Sequence, residues 1–496
     1  MNLLYDPWIP VRVAGVFRHA TLKEILCVDG DYNLFFHRDD MELAALQLAI
    51  CLTQVVFTPK DDKELRQRES SHMPEAEYNA GVESFKEIFV LDHPEHPFMQ
   101  KRGVKADVIT PVQKLFVGLP EGNNHSLFNG PGEISRICPS CIAIALFNQA
   151  SNCPSFGGGF KGSLRGAAPI TTLVEGDTLR TTIWRNVISR TRFKRTIPYE
   201  SNEDKPVWMT PLRRNENVYS YNIGILRGLF WQPARIEVEW LNRKGCCDAC
   251  GANGEQFTRG FKKEKFKYEI KGVWPHPYSP YGWDLKKDER AQRFASFTTT
   301  APAWTQLTEF LMKKESEKEG NVPAAVVSQF GEVFIGERLR LVVGGYQVKQ
   351  ALVLQRRHDL ISLPSGWSEN MNSVEDMVNN ALGVKAALRG KIYWFGKEIG
   401  APGMAAQAEG IFYRDSEPTV HETFRNMNWR ETIKVKAEFA DRLARLAKRI
   451  FDEVTEPYSN NPENLKKLSA SRRALNSALN KITGKERREN EREGKS

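Results

Sequence analysis

The sequence predicts an α+β fold: a large mixed α/β domain over residues 1–368, followed by a four-helix bundle over residues 369–496. Three observations predict it. Up to about residue 365, short β-rich runs alternate with Gly/Pro turns and a few helices. After LPSGWSENMNS (363–373) the apolar residues switch to long helical periodicity. Two Cys-x-x-Cys pairs, Cys138/Cys141 and Cys247/Cys250, both fall in the first domain, where together they can close one structural zinc site.

Taken in chain order, a helix is expected over MELAALQLAICLTQV, beginning at Met41 after the acidic cap Arg38-Asp39-Asp40. A second runs through CIAIALFNQA from Cys141. Strands are expected at ITTLVEG (170–176), RIEVEW (235–240) and RLRLVVGGY (338–346). The bundle opens with Asn372 three residues before Glu375, in capping-box fashion. Its helices are placed at about 373–399 and 403–425, then along a stripe of Ile433, Phe439, Leu443, Leu446, Ile450 and Val454. The last follows Pro462 with Leu465, Leu468, Leu475, Leu479 and Ile482. The tail after Gly484 alternates in charge and reads as a solvated end.

A chain of 496 residues with 41% hydrophobic residues can bury two or three cores. Asp6 and Pro7 interrupt the start where a secretory signal needs an apolar stretch, so the expected compartment is cytoplasmic. Eight cysteines in such a chain are expected to stay thiols, and clustered ones suggest metal. Lysine and arginine number 70 against 61 acidic residues, and the net +9 permits a polyanionic partner.

PSFGGGFKGSLRG (154–166) satisfies the dinucleotide spacing G-x-G-x-x-G at Gly157, Gly159 and Gly162. Its context does not. Asn152-Cys153-Pro154-Ser155 precedes where a strand is needed, and Gly166 with Pro169 blocks the helix that must follow. A P-loop fails as well, because Ser163 stands where the lysine belongs. What remains is a loop whose bare backbone can approach a nucleic acid, flanked by Lys161 and Arg165, which suit phosphate; the alternative is a tight turn between helix and strand.

The cysteine pairs lie more than a hundred residues apart, so their closing one Cys₄ shell is an inference from two knuckles; two unrelated reduced pairs are the alternative, and Cys246 can stand in for Cys247. A full shell leaves no position for water and points to a structural clamp. RGFKKEKFKYEI packs five cations into residues 259–267, and from Lys265 it alternates, with Phe266, Tyr268 and Ile270 on one face and Lys265, Lys267 and Glu269 on the other. WRNVISRTRFKRT adds Arg185, Arg190, Arg192, Lys194 and Arg195.

Catalytic signatures are weak. Prolines break the helix that would align His93 and His96, and the His358-Asp359 dipeptide has no further ligands beside it. His96 and His358 are expected to be hydrogen-bonded structural residues. No G-x-S-x-G or H-E-x-x-H motif occurs.

Segments spread over nearly the whole chain resemble the CasA family, the large subunit of the type I-E CRISPR surveillance complex Cascade. They are LLYDPWIPV, RDDMELAALQLAI, HPEHPFMQ, IALFNQA, FGGGFKG, RGLFWQPA, WPHPYSP, APAWTQ, VVGGYQVKQA and RRHD. The resemblance implies a non-catalytic subunit that inspects double-stranded DNA for a protospacer-adjacent motif from the minor groove and promotes strand separation and R-loop formation.

By similarity the DNA-contacting residues are the glycine loop (Ser155, Phe156, Gly157, Gly158, Gly159 and Lys161), the lysine finger Lys265, and the wedge Gln350 with Val348 and Lys349. Leu127 and Asn129, in NNHSLFNGP, match a loop near the motif and the 5′ end of the guide RNA. The four cysteines match the family's zinc positions, one structural zinc per chain. Implied partners are target DNA, the guide RNA, the backbone and small subunits of Cascade, and a helicase-nuclease. Ser155 stands where the family can carry glycine, and Val348 and Lys349 give the wedge apolar and basic neighbours; both bear on the motif accepted. The rival reading, from another class, is a zinc-containing enzyme that modifies nucleic acid.

Overall fold

The computed structural model describes residues 1–117, 132–197, 204–286, 289–349 and 352–484. Two compact units emerge. The first comprises residues 1–299, 313–334 and 341–360; the second comprises 300–312, 335–340 and 361–496.

The first unit is built around two apolar helices. Asp39–Val56 begins two residues before Met41, because Asp39, Asp40 and Glu42 can all sit in the first turn, where the helix dipole favours acidic groups. Buried on nearly every face, it is a core helix. Pro139–Ser151 packs against it, with Cys138 as N-cap and Pro139 at the first helical position, where the missing N–H costs nothing.

Around these helices lie small sheets. Thr171–Val174 pairs antiparallel with Leu339–Lys349, Leu341 opposite Val174, and Leu352–Leu363 lies on the other side of Leu339–Lys349. A long antiparallel hairpin joins Arg235–Cys246 to Asn253–Glu264, with Val238 opposite Phe261 and Cys246 opposite Asn253. Beyond Glu264 the chain changes partner: Tyr268–Lys271 runs parallel to Glu216–Tyr219. The expected strands at 170–176, 235–240 and 338–346 are all present, the second and third running longer than expected. Phe89, Phe98, Phe147, Trp208 and Phe230 form one aromatic cluster, which explains the apolar residues of HPEHPFMQ, IALFNQA and RGLFWQPA as core.

Among the described residues, the second unit has four long helices, Met371–Glu398, Met404–Arg425, Thr432–Thr455 and Pro462–Thr483, each packed on at least two of the others. Gly484 ends the last in a left-handed cap at φ +69°. Two local expectations fail. Asn372 and Glu375 form no capping box, since both already lie inside a helix whose N-cap is Asn370; the Asn370 side chain donates instead to the Gly366 carbonyl at 2.8 Å. Ile433 and Leu465 leave the apolar stripe, being 87% and 50% exposed, because each lies in the first turn of its helix, ahead of the buried run.

Candidate nucleic-acid interface and metal centre

The glycine loop follows Pro139–Ser151 and leads into Thr171–Val174, with no helix after it. Gly157, Gly158 and Gly159 take φ of +78°, +54° and +88°, a left-handed run that only glycines enter without strain. A Cβ built on Gly157 or Gly158 would meet nothing within 4 Å. The glycines are therefore required by backbone conformation and leave the backbone open to an approaching surface. Ser155 steadies the turn by accepting the Gly157 N–H at 3.3 Å. Phe156 is buried and fastens the loop: its ring lies 5.8 Å from Phe261 on the long hairpin and 5.5 Å from Phe160.

Lys265 reaches this loop across more than a hundred residues of sequence. Its Nζ donates to the Gly158 carbonyl at 3.0 Å while the residue remains exposed, and it flanks Gly159 at 3.9 Å from an ideal Cβ. The strip alternates as expected, with Phe266 and Tyr268 buried and Lys265, Lys267 and Glu269 exposed. It is not one strand, however: residues 265–267 are the bridge where the chain leaves the hairpin for its parallel partner. Two more cations gather at the site. Lys263 Nζ lies 5.1 Å from the Phe156 ring, and the exposed Lys161 lies 5.9 Å from the Tyr268 ring, so the loop's aromatic supports also hold ammonium groups.

Val348 and Lys349 end the Leu339–Lys349 strand. Val348 packs on a buried cluster of Val117, Cys153, Ala168, Tyr346 and Val353, which places the end of this strand over the root of the glycine loop; Lys349 is exposed. Gln350, Leu127 and Asn129 lie outside the described residues.

The two cysteine pairs converge. All four residues are buried, and their Sγ atoms lie within 4.8 Å of one another, with Cys138–Cys250 and Cys141–Cys247 each at 3.7 Å. Four sulfurs around a tetrahedral zinc at about 2.3 Å would stand about 3.8 Å apart, so the donor set fits a metal ion. Neighbouring thiol donors favour the Cys247 thiolate, while the thiols of Cys141 and Cys250 are pushed up. With all four ionised, their burial would need a cation in their midst to offset the charge.

One pair caps a helix and the other occupies the tip of the long hairpin. The tip is aligned by Asp248, whose carboxylate accepts from the N–H groups of Ser135 and Arg136, both at 2.9 Å, and from Ser135 Oγ at 2.8 Å. Cys246 is exposed, its Sγ 3.2 Å from the Gly251 carbonyl, so Cys247 is the cluster member.

Some expected cations are committed elsewhere. Arg165 does not flank the loop as a phosphate ligand: it is 3% exposed and bonds Thr171, Ser279, the Ser151 carbonyl and Asn152. Arg185 pairs with Glu69 at 2.9 Å in a buried setting, and Arg192 grips Asp62 and Glu332, so two of the five cations of WRNVISRTRFKRT brace the fold, while Arg190, Lys194 and Arg195 are exposed. His93 Nδ1 accepts from the N–H groups of Glu95 and His96, a turn-forming role.

Comparison with known proteins agrees with this architecture. The family description "CRISPR-associated protein Cse1" matches residues 2–450. CRISPR-associated protein CasA/Cse1 of Thermus thermophilus is 26% identical over 220 residues, a stretch covering 42% of this chain and 42% of that protein. Among solved structures, Thermobifida fusca Cse1 superposes with a TM-score of 0.76 at 16% identity, covering 98% of both chains. Acidimicrobium ferrooxidans Cse1 gives 0.73 at 16%, again over 98% of both. A chain of a CRISPR RNA-guided surveillance complex gives 0.66 at 16%, over 96% of this chain and 99% of that one. With the family pattern running from residue 2 to residue 450 of a mixed α+β chain that ends in four packed helices, the chain belongs to the CRISPR-associated Cse1 family.

Proposed function

We propose that this chain is the large, non-catalytic subunit of a type I-E RNA-guided surveillance complex. In this reading it inspects double-stranded DNA for a protospacer-adjacent motif from the minor groove, starts strand separation and R-loop formation, and helps recruit a helicase-nuclease. The observation that carries the reading is the junction of Lys265 with the open, left-handed Gly157–Gly159 backbone. The minor groove is narrow and its hydrogen-bonding code degenerate, so a bare backbone with one long cation suits it. Lys161 adds a charge for the phosphates.

Residues 1–368 would carry motif inspection, with Val348, Lys349 and Gln350 as the wedge and Leu127 and Asn129 near the guide RNA. Residues 369–496 would meet the small subunits, and the exposed Tyr393 and Trp394 give that unit an apolar surface for contact. Sequence choice then passes to base pairing between guide and target. Cys138, Cys141, Cys247 and Cys250 would hold one structural zinc, which when bound crosslinks the hairpin tip to the start of Pro139–Ser151.

The test uses the reconstituted complex. Lys265→Ala is expected to weaken binding to motif-bearing duplex by about tenfold, the scale of one good groove contact, while assembly is kept. Unchanged binding would refute the assignment, and chemical alteration of DNA by the isolated chain would favour a nucleic-acid-modifying enzyme.

A further inference from the structure

Gly158, Gly159 and Lys349 are exposed, yet the roots of the segments that carry them meet in one buried chain of hydrogen bonds. Tyr346, 1% exposed and two residues before Val348, sits at its centre. Its Oη donates to Asp40 Oδ2 at 2.9 Å and accepts from Asn148 Nδ2 at 2.9 Å.

From Asn148 the chain runs to the glycine loop. Asn148 Oδ1 accepts from Asn152 Nδ2 at 3.0 Å, and Asn152 Oδ1 accepts from Arg165 Nη2 at 2.5 Å. The same guanidinium group donates to the Ser151 carbonyl at 2.8 Å, so one side chain closes the neck of the segment that contains Gly157–Gly159. From Asp40 the chain runs the other way. Its carboxylate accepts from Arg38 at 3.0 and 2.8 Å and from Arg356 at 3.3 Å, and Arg38 also donates to the Phe116 carbonyl at 2.7 Å. Around this polar chain, Val117, Cys153, Ala168, Tyr346 and Val353 form one apolar cluster. Three separated stretches of sequence thus share one anchor: Phe116–Val117, the neck of the glycine loop, and the strand ending at Lys349.

We propose that Tyr346 is a positioning residue for motif discrimination, holding the glycine loop in register with the end of the Leu339–Lys349 strand through Asn148 on one side and Asp40 on the other. It touches no DNA itself. A buried hydroxyl with both partners fixed has one orientation, and removing it leaves an amide donor and a carboxylate oxygen each short of a partner in a closed core. The neck and the strand would then be free to shift against one another. The glycine backbone and Lys265 would still meet the groove, but no longer at a fixed height relative to the strand end. This inference rests on the reading that the glycine loop and Lys265 inspect duplex DNA.

The experiment reconstitutes the full complex with wild-type chain, Tyr346→Phe or Lys265→Ala, and presents a library of duplexes that carry every trinucleotide beside one guide-matched target. The readout is the enrichment of the best trinucleotides over the rest. Tyr346→Phe keeps the ring and its packing; it is expected to flatten that enrichment about fivefold or more, within the range of one mismatched base pair. A merely structural role lowers the share of competent complex and binds all duplexes less in equal proportion, leaving the ratio unmoved.

Should Tyr346→Phe fail to assemble, Arg165→Lys, which keeps the charge but loses the forked grip on the neck, takes the same readout. Preserved enrichment in the assembling variant, alongside loss in Lys265→Ala, overturns the positioning role and leaves the reading of the loop standing. No effect of Lys265→Ala overturns that reading itself.

Discussion

At the scale of single residues, conformation and access separate cleanly at Gly158. Its φ of +54° lies where an L-residue loses about 1–2 kcal/mol, and a methyl group there would meet no neighbour within 4 Å. Gly158→Ala is therefore expected to fold with a melting temperature lowered by a few degrees at most. The same methyl would stand between backbone and groove, so motif-duplex binding by the reconstituted complex is expected to fall about tenfold. Thermal melts and duplex titrations check the pair, and intact binding would show that this backbone never meets DNA.

His276 offers a second test. It is buried between Trp274 at 5.4 Å and Tyr278 at 5.3 Å, and burial, then the nearby Arg165 charge, holds its pKa well below the ordinary imidazole value. The folded ring stays neutral, whereas the unfolded chain takes up a proton below about pH 6.5. The unfolded state then binds more protons, so this contribution is complete above that pH and is lost as pH falls below it, at up to about 1.4 kcal/mol per pH unit. Melting temperature should drop from pH 7.5 to 5.5, and His276→Gln should flatten the slope. Equal slopes would mean that the ring titrates normally in the folded protein.

At the scale of elements, what could be read in advance depended on whether the signal was local. The strand runs at 170–176, 235–240 and 338–346 and the helix from Cys141 announced themselves by β-branched or apolar density, a property of neighbours in sequence. The two Cys-x-x-Cys knuckles are also local, and their meeting could be inferred because a metal needs four ligands. Arg165 shows the opposite case. Beside a glycine loop it looks like a phosphate ligand, and only tertiary placement reveals that Asn152, Thr171 and Ser279 enclose it. Asn148 and Asn152, four residues apart at the end of an apolar helix, were the available hint of a buried polar network, but their partners Asp40 and Tyr346 are distant in sequence.

The hairpin tip and the start of Pro139–Ser151 are joined by the four cysteines and by Asp248. Purified protein is accordingly expected to hold about one zinc per chain, and Cys250→Ser or strong chelation should release it together with hydrogen-exchange protection at residues 246–253. Because the hairpin also carries Phe261 and leads into Lys265, motif binding should weaken as well. Full protection without metal would show that hydrogen bonds alone hold the tip.

At the scale of the whole molecule, the chain enters its second unit three times, and the helical texture after residue 363 reveals only the last entry. The first, residues 300–312, supplies Trp304, Leu307 and Phe310, each at most 1% exposed, and the short helix Leu307–Leu311 packs on Met371–Glu398. Trp304 lies with its ring centre 6.4 Å from that of Tyr413 on Met404–Arg425. An excursion of this kind behaves as part of the bundle's core although it is written inside the first unit's sequence. Trp304→Ala removes a large buried ring at a cost of about 3–5 kcal/mol, a sizeable part of a domain's stability. If the two units open separately, hydrogen exchange should accelerate across residues 371–483 while residues 139–174 and 235–271 keep their protection. Equal acceleration in both regions would mean that the chain opens as a single cooperative body, and the glycine loop would then owe its order to the bundle as well as to its own neck.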